Sequence, residues 1–116
     1  VASPNRKVIS MQADGSAMYT VQALWTQARE QLDIVTVLFN NRAYRILQGE
    51  LKRVGANTNA RKAQELLNLS NPNLNWVQLA NGMGVSASRA TTMEALNKQL
   101  EAAIGRKGPH LIEAVF

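Results

Sequence analysis

Two polar clusters in this sequence carry the residue types of a metal and phosphate site. Asp14 offers a carboxylate oxygen and Asn41 a neutral amide oxygen, which are hard ligands that suit Mg²⁺. These two groups alone make an incomplete cage, so a diphosphate would supply further oxygens. Gly15 lets the backbone approach such a group closely, and the amides of Ser16 and Ala17 stand at an expected helix start. The alternative is ordinary loop chemistry, with Asp-Gly forming a turn and Asn-Asn a loop.

A βαβ unit is predicted to bring the two clusters together. Lys7–Gln12 has the pattern of a short strand, and residues 17–32 carry apolar side chains at helical spacing, with Ser16 as the expected N-cap. Ile34–Phe39 is apolar and β-branched, which is typical of a strand buried on both faces. Strands joined in this way pair in parallel, and ligands of such sheets bind outside their carboxyl ends. Both clusters therefore fall at the edge of the sheet where ligands bind.

The rest of the chain continues the alternation of strands and helices. Helices are predicted over 43–54, 75–84 and 92–108, and strands over 85–90 and 110–116. This alternation implies an α/β fold, a three-layer, open, mostly parallel sheet with helices on both faces. Residues 1–116 are expected to form a single, partial domain, and the polar stretch 55–70 is expected to be a mobile loop.

Composition limits the classes of protein to which this chain can belong. Its 116 residues suffice for one small domain. Apolar runs stay well short of the roughly 18 residues of a membrane-spanning helix, and the N-terminal residues lack the pattern of a signal peptide. There is no cysteine, which fits a reducing compartment. We therefore expect a cytoplasmic protein that does not act at a membrane.

The net charge of +5 is concentrated in one window. Between Arg42 and Lys62 lie six basic residues and one acid. Such a stretch can meet nucleic acid, an acidic partner or a phosphate ligand, but it is more often a solvated helix face and loop. Tyr44 is the only aromatic residue of the window, so stacking on single-stranded bases is not supported. We expect no nucleic-acid partner.

The spacing of the two clusters resembles a known cofactor fingerprint. Asp14 and Asn41 stand 27 residues apart, and D-G-S followed by N-N at this separation resembles the G-D-G and N-N fingerprint of thiamine-diphosphate enzymes. The stretches DGSAMYTVQALWTQAREQLDIVTVLFNNRAYRILQGELKRVGA and LNWVQLANGMGVSASRATTMEALNKQLEAAIGRKGPHLIEAVF extend the likeness. They resemble the cofactor-binding domain of acetolactate synthase-like enzymes and of benzoylformate decarboxylases. Ala13 replaces the first glycine of the fingerprint, which a negative φ would permit.

The resemblance implies two sets of binding residues. It assigns the metal to the side chains of Asp14 and Asn41 and to the carbonyl of Ala43. It assigns contacts with the cofactor to Gly15, Ser16, Ala17, Tyr44, Ile46 and Leu47, the last two facing the thiazolium and the substrate. Pyruvate decarboxylases carry a catalytic glutamate in the place of Leu47, so the apolar residue argues against that subclass.

The family resemblance also implies an activity. An acetolactate synthase-type enzyme, with thiamine diphosphate and Mg²⁺, decarboxylates a 2-oxo acid such as pyruvate and joins the fragment to a second 2-oxo acid, a reaction of branched-chain amino acid biosynthesis. A benzoylformate decarboxylase-like or aldehyde-lyase-like enzyme with the same cofactor is the alternative. A hypothesis from another class is a non-catalytic, basic α/β module that binds an acidic partner.

Relatives of this kind are longer, and the missing parts affect what the chain can do alone. The resemblance implies a pyrimidine-binding domain, usually from a second chain, that supplies the glutamate which activates the cofactor. We therefore expect no catalytic residue within this chain, a truncated N-terminus, no turnover by the chain alone, and a homo-oligomeric enzyme, dimer or tetramer. Glu50 is the nearest acid to the metal loop, and Glu113 lies inside the last predicted strand.

Three further residues are predicted to be structural. Trp25 and Trp76 fall on apolar faces of predicted helices and are expected in the core. His110 is the only histidine and begins a predicted strand, so we expect a structural role for it. The segment G-M-G-V-S-A at 82–87 fits a dinucleotide-binding pattern, but it follows a helix and precedes a strand, the reverse of the required order.

Overall fold

A parallel sheet is the centre of the computed structural model, which describes residues 3–57 and 60–116. Its strands are β1 (Val8–Ala13), β2 (Ile34–Asn40), β3 (Ser86–Ala90) and β4 (His110–Val115). They lie in the order β1-β2-β4-β3, and each neighbouring pair is parallel. Each strand agrees with its predicted bounds to within one residue, because apolar and β-branched runs bounded by polar residues mark buried strands clearly. The predicted α/β fold is confirmed.

Six helices are found in the described residues, in two compact units. They are α1 (Asp14–Ala17), α2 (Ala23–Arg29), α3 (Arg45–Arg53), α4 (Arg61–Leu66), α5 (Trp76–Gly82) and α6 (Met93–Ile104). The first unit comprises the residues up to 41 together with 75–116, and the second comprises 42–74. The sheet, α1, α2, α5 and α6 belong to the first unit. None of these helices is long and apolar enough to cross a membrane.

The long helix expected over 17–32 is wrong in its start and in its continuity. Helical structure begins three residues earlier, with α1 at Asp14, and a 3₁₀ turn at Met18–Thr20 separates α1 from α2. The 3₁₀ geometry changes the hydrogen-bond step from i→i+4 to i→i+3. Apolar periodicity alone cannot reveal such a change, because i+3 and i+4 positions lie on the same face of a helix.

Helices cover both faces of the sheet in the first unit. On one face, Val37 and Ile112 are buried with Ala103 of α6. On the other face, Leu38 of β2 and Trp76 of α5 are both buried, and they line the same small cavity. Successive residues of a strand point to opposite faces, which is why Val37 and Leu38 meet different helices. The predicted three-layer arrangement is therefore present.

One edge of the sheet is formed by β1, which pairs only with β2. Its side chains are mostly exposed, although the strand is apolar. Val8 and Ile9 are 42% and 49% exposed, and Met11 is 73% exposed. Both faces of this strand thus present apolar surface, in contrast to the buried strand β2.

The two tryptophans have different environments. Trp76 is 1% exposed, which confirms its predicted place in the core. Trp25 is 54% exposed, so its predicted place in the core is wrong. Arg29, one helical turn later, lies over the Trp25 ring with its guanidinium carbon 5.3 Å from the ring centroid. The helix α2 turns this side chain away from the sheet, while Leu24, its neighbour in sequence, is buried.

The second unit holds α3 and α4 and a short antiparallel bridge between Ala43 and Asn68. The stretch 55–70 was predicted to be a loop, and it contains α4 instead of irregular structure throughout. Ala60 precedes α4 with an extended backbone, φ −62° and ψ 120°, and the apolar residues Ala63 and Leu67 line one cavity of this unit. The mobility of this stretch stays a prediction, and residues 58 and 59 lie outside the described part of the chain.

Candidate functional site

Asp14 occupies a buried position at the carboxyl end of β1. It is the first residue of α1 and is only 1% exposed. Its Oδ1 accepts a hydrogen bond of 2.9 Å from the amide of Gly15, which fixes the direction of the carboxylate. Ala13 has φ −87°, so the methyl group that replaces the expected glycine causes no backbone strain. A buried, oriented carboxylate at a strand end is suited to bind a metal.

Ser16 is not the N-cap that the sequence analysis predicted. The helix starts before it, and the N-cap position belongs to Ala13. The Ser16 hydroxyl instead donates a hydrogen bond of 2.9 Å to the carbonyl of Ala13, one turn back. Gly15 is buried and Ala17 half-buried, while Ser16 is exposed. The hydroxyl therefore stabilises the first turn of α1 and does not satisfy its free amides.

Asn41 directly follows β2, at the same edge of the sheet as Asp14. The parallel register pairs Ala13, the last residue of β1, with Phe39, and β2 ends one residue later at Asn40. Asp14 and Asn41 therefore leave the sheet at the same edge. Asn40 is 3% exposed and Asn41 is half-buried. The register thus brings the two clusters to one sheet edge, as the βαβ unit predicts.

A buried ionic network lies under this edge, and the sequence analysis did not identify it. Glu113 of β4 is 1% exposed. Its Oε1 accepts a hydrogen bond of 2.7 Å from Nδ2 of Asn40, and its Oε2 accepts one of 2.7 Å from Nε of Arg89 on β3. The available signal was an acid inside an otherwise apolar strand, since such a charge has to be paired when it is buried.

The remaining predicted residues lie in the second unit. Arg42 has φ +59°, the left-handed conformation that is uncommon for a residue with a side chain. Hydrogen bonds from Leu69 N to Arg42 O, 2.8 Å, and from Tyr44 N to Leu67 O, 2.9 Å, flank the bridge at Ala43. In that pattern the carbonyl of Ala43 points away from the paired segment. The Tyr44 amide, predicted to contact a diphosphate, donates to Leu67 in this structure.

Ile46 and Leu47 lie in the first turn of α3, also in the second unit. Ile46 is 80% exposed and Leu47 is 44% exposed. Large apolar side chains cost free energy when water surrounds them. Their exposure marks a surface suited to contact another apolar group, such as a ring of a cofactor or a further part of the protein.

His110 lies at the opposite end of the sheet from Asp14, at the start of β4. The Ser88 hydroxyl donates its proton to Oε1 of Gln99, 2.7 Å away, and lies 3.2 Å from Nε2 of His110. Because the hydroxyl proton is already used, the histidine nitrogen is the donor to Ser88. Burial, followed by the nearby charges of Arg106 and Lys7, lowers the pKa of His110. A neutral histidine that donates to a hydroxyl is a structural group, and it does not activate a nucleophile.

The donor set fits Mg²⁺ only when a ligand completes the coordination. Among residues 3–57 and 60–116 there is no group of three histidine, cysteine or acidic residues that could hold a metal. Asp14, Asn41 and Ala43 offer a carboxylate, an amide and a backbone carbonyl, all of them hard oxygen donors. Mg²⁺ requires six oxygens and is often completed by substrate phosphates and water. This residue set is therefore suited to a metal–diphosphate complex and unsuited to a metal bound by protein alone.

The parallel sheet of the first unit, with Asp14 and Asn41 at the carboxyl ends of its strands, is typical of a ligand-binding α/β domain. Residues 1–114 match the family model described as thiamine pyrophosphate enzyme, C-terminal TPP binding domain, and the chain belongs to that family. This match confirms the resemblance found in the sequence, including its cofactor, thiamine diphosphate.

Relatives by sequence are acetolactate synthases and decarboxylases. A protein of Mycobacterium tuberculosis named "Putative acetolactate synthase large subunit IlvX" is 52% identical over 116 residues, which cover 99% of this chain and 22% of that protein. The benzoylformate decarboxylase of Pseudomonas aeruginosa is 33% identical over 113 residues, covering 97% of this chain and 20% of that protein. The chain thus spans about a fifth of the length of these relatives.

A solved structure agrees with this grouping. The thiamine diphosphate-dependent 4-hydroxybenzoylformate decarboxylase of Rhodococcus jostii superposes with a TM-score of 0.83 at 34% identity, covering 97% of this chain and 20% of that one. The chain is therefore similar, in sequence and in fold, to the thiamine-diphosphate-binding domain of acetolactate synthase-type and benzoylformate decarboxylase-type enzymes.

Proposed function

We propose that this chain supplies the residues that bind Mg²⁺ and the diphosphate of the cofactor in an acetolactate synthase-type enzyme. The observation that carries the proposal is the buried, oriented carboxylate of Asp14 beside Asn41 at the ligand-binding edge of a sheet of this family. When bound, thiamine diphosphate supplies the carbanion chemistry for decarboxylation of a 2-oxo acid, while the protein supplies orientation and electrostatics.

Each binding residue then has a defined task. Asp14 and Asn41 bind the metal through side-chain oxygens, and Ala43 binds it through its carbonyl. The amides of Ser16 and Ala17 at the start of α1 donate to the diphosphate. The Gly15 amide donates to Oδ1 of Asp14 in this structure and would have to exchange that hydrogen bond to join them. For the Tyr44 amide to join them, it would have to exchange its hydrogen bond to Leu67 for one to the diphosphate.

The apolar residues Ile46 and Leu47 form the neighbourhood of the thiazolium and the substrate in this proposal. Their exposure in the chain by itself supports the idea, because a bound ring would remove apolar surface from water. Neither residue can move a proton. The substrate pocket therefore excludes water and orients the substrate, and any proton transfer depends on groups outside these two side chains.

We favour pyruvate as the 2-oxo acid and a second 2-oxo acid as the acceptor. The identity of 52% to a protein named as an acetolactate synthase large subunit supports this choice over a benzoylformate decarboxylase, to which the identity is 33%. The close superposition on the Rhodococcus jostii decarboxylase supports the alternative, an enzyme that releases an aldehyde. Product analysis with the full-length protein, pyruvate and benzoylformate separates the two.

The non-catalytic basic module has less support. In the basic window, Arg53 pairs with Glu50 at 2.6 Å, and Arg61 pairs with Glu65 at 2.7 Å along their own helices. Both pairs are exposed and join residues three or four positions apart on one helix, an arrangement common on solvated helix surfaces. They fit the solvated helix face that we expected for the window, and they weaken the idea of a dedicated surface for an acidic partner.

The activating glutamate is proposed to come from a pyrimidine-binding domain of a second chain, in a dimer or tetramer. The two acids that the sequence analysis considered for this role, Glu50 and Glu113, pair with other residues of this chain. Glu50 pairs with Arg53 on the surface of α3, and Glu113 is buried between Asn40 and Arg89. A cytoplasmic location completes the proposal.

The experiment that tests the proposal is a titration of the full-length protein with thiamine diphosphate and Mg²⁺, followed by calorimetry. Asp14→Ala is expected to remove Mg²⁺-dependent binding of the cofactor, because it deletes the only charged ligand of the proposed set. Glu101→Ala is the matched control, since it also deletes one carboxylate but from an exposed position on α6. Equal cofactor affinity in the wild type and in a folded Asp14→Ala variant would overturn the metal assignment.

A further inference from the structure

The buried network around Glu113 connects the carboxyl ends of three strands. Nδ2 of Asn40 on β2 and Nε of Arg89 on β3 both donate to the Glu113 carboxylate on β4, each at 2.7 Å. Arg89 extends the network through Nη2 to Oδ1 of Asn75, 3.5 Å away, and the same oxygen accepts from the amide of Gln78 and caps α5. The Glu113 carboxyl thereby lies at a position that is 1% exposed, with a hydrogen-bond donor on each of its two oxygens.

The placement of this charge needs an explanation beyond stability. A buried ion pair is weak support for a fold, because well-packed apolar residues of similar volume often serve as well. The Glu113 carboxylate is directed at Asn40, whose own side chain is buried. Asn40 is the residue directly before Asn41, the candidate metal ligand. The backbone of Asn40 is also held, because its carbonyl accepts a hydrogen bond of 3.4 Å from the amide of Phe116.

We infer that Glu113 is a positioning residue that acts through Asn40 to aim Asn41 at the metal. This inference rests on the proposed function. The hydrogen bond to the carboxylate fixes the Asn40 side chain, and Phe116 fixes its carbonyl, so the last residue of β2 has one orientation. Asn41 leaves the strand from that fixed residue. Groups that orient metal ligands in this way typically change metal affinity by 10- to 100-fold when they are removed.

Asn40→Ala in the full-length protein tests the inference, with the affinity for Mg²⁺ at saturating thiamine diphosphate as the readout. The variant removes the hydrogen bond but leaves the Glu113–Arg89 pair intact, so the buried charge keeps a partner. We expect Mg²⁺ to bind about 10-fold or more weakly. Val35→Ala is the matched control, because Val35 is fully buried at the other end of the same strand. It should lower thermal stability without changing the affinity for Mg²⁺.

A pair of substitutions at Glu113 distinguishes positioning from packing. Glu113→Gln keeps an oxygen that can accept from Asn40, so it should retain most of the wild-type affinity. Glu113→Leu fills the space without an acceptor, so it should weaken Mg²⁺ binding as Asn40→Ala does. Equal affinities in all of these variants, with binding lost in Asp14→Ala, would overturn the inference and leave the proposed function standing. Wild-type affinity in Asp14→Ala as well would overturn the proposed function itself.

A small cavity between α2, α5 and the sheet contains buried polar atoms. Three buried polar atoms have no hydrogen-bond partner within the described residues: Oε1 of Gln27, Oγ1 of Thr36 and Nε1 of Trp76. All three residues line the same cavity of about 70 Å³, between α2, α5 and the sheet. Thr36 and Trp76 are 5% and 1% exposed. Orphaned polar atoms of this kind are rare in folded proteins.

We propose that this cavity binds an ordered water molecule that bridges the three atoms. The chemistry matches water, because the indole N–H is a donor, the glutamine oxygen is an acceptor and the hydroxyl can be either. A buried water typically makes about three hydrogen bonds, and the volume exceeds the roughly 15 Å³ that one water needs. None of the residues that line the cavity is charged, so an ion is not favoured.

A crystal structure of the full-length protein tests this site. We expect density for a water within hydrogen-bond distance of Nε1 of Trp76 and Oγ1 of Thr36. In Thr36→Val, which keeps the shape but removes the hydroxyl, the water should be absent or have a much higher B-factor. A dry cavity, a cavity filled by protein atoms, or a water unaffected by Thr36→Val would each overturn the proposal. Thr26→Val, on the exposed side of α2, is the control in which the water should persist.

Discussion

The protonation of His110 links the stability of the fold to pH near neutrality. It is neutral in the fold and donates to Ser88, while burial and the charges of Arg106 and Lys7 lower its pKa below the ordinary 6.5. The unfolded chain therefore takes up a proton at a pH where the folded chain does not. The stability from the neutral histidine is complete above about pH 6.5 and is lost as the pH falls through the lowered folded pKa.

The first prediction follows from that sign. The free energy of unfolding should fall as the pH is lowered below 6.5, with a slope from this group of at most about 1.4 kcal/mol per pH unit. Denaturant titrations between pH 5 and 7.5 measure it. His110→Gln keeps a side-chain donor for Ser88 but does not titrate, so its slope over that range should be smaller. Identical slopes in the two proteins would contradict the role of His110.

The position of Asp14 and Asn41 at one edge of the sheet could be predicted from residue type and spacing, whereas the buried network of Glu113 could not. Asp-Gly alone is also common turn chemistry, but its spacing to Asn-Asn across a predicted βαβ unit places both clusters at one sheet edge. Glu113 sits inside a strand, and an acid there can equally face water on an edge or an ion pair in the core. Its partners Asn40 and Arg89 are 73 and 24 residues away along the chain, so only the sheet order reveals them.

Some helices of this chain begin at a residue whose side chain caps them, and others do not. Thr92 is a marked end, because its Oγ1 accepts from the amide of Ala95 at 3.2 Å and starts α6. The start of α1 is unmarked, since its N-cap is Ala13, which has no side-chain acceptor. Ser16, three residues after this N-cap, has the side chain expected of a cap but lies inside the helix. Capping residues predict a helix start only where the fold uses them.

The second prediction concerns the cap of α6. Thr92→Ala should lower the free energy of unfolding by about 1 kcal/mol, because the amide of Ala95 loses its acceptor. Thr91→Ala is the matched control, since Thr91 is exposed and precedes the cap. It should change stability by less than about 0.5 kcal/mol. Equilibrium urea denaturation of the full-length protein and both variants measures the difference, and equal losses would show that the cap does not act as described.

The second unit, residues 42–74, contains the least predictable element, the helix α4. The helix α4 spans only Arg61–Leu66, which is too short for apolar periodicity to distinguish it from a loop. The strands, in contrast, were located to within one residue, because β2 and β4 bury nearly every side chain and β1 and β3 are followed directly by the polar residues Asp14 and Thr91. Sequence therefore predicts elements that the core requires better than those that function or neighbouring parts of the protein require.

At the scale of the molecule, the proposed site binds Mg²⁺ and diphosphate but has no acid proposed to activate the cofactor. The third prediction follows from this. The purified 116-residue chain should show no decarboxylation of pyruvate above background with thiamine diphosphate and Mg²⁺ present. Glu50, the acid nearest to the metal loop, pairs with Arg53. A coupled assay for carbon dioxide or aldehyde release measures the activity. Turnover that disappears on Glu50→Gln would identify Glu50 as the missing acid and show that no second chain is required.

The exposed strand β1 has a consequence for how the chain behaves in a test tube. Its sequence, VISMQA, has no charge and no proline, and one of its two backbone edges has no strand beside it among the described residues. Such an edge is a template on which further copies can add strands, the first step of aggregation. We expect the chain produced alone to form insoluble assemblies as its concentration rises. Met11→Lys, which puts a charge at the most exposed large apolar residue of the strand, should raise the solubility measured by light scattering, because charged edge residues act as gatekeepers against strand addition.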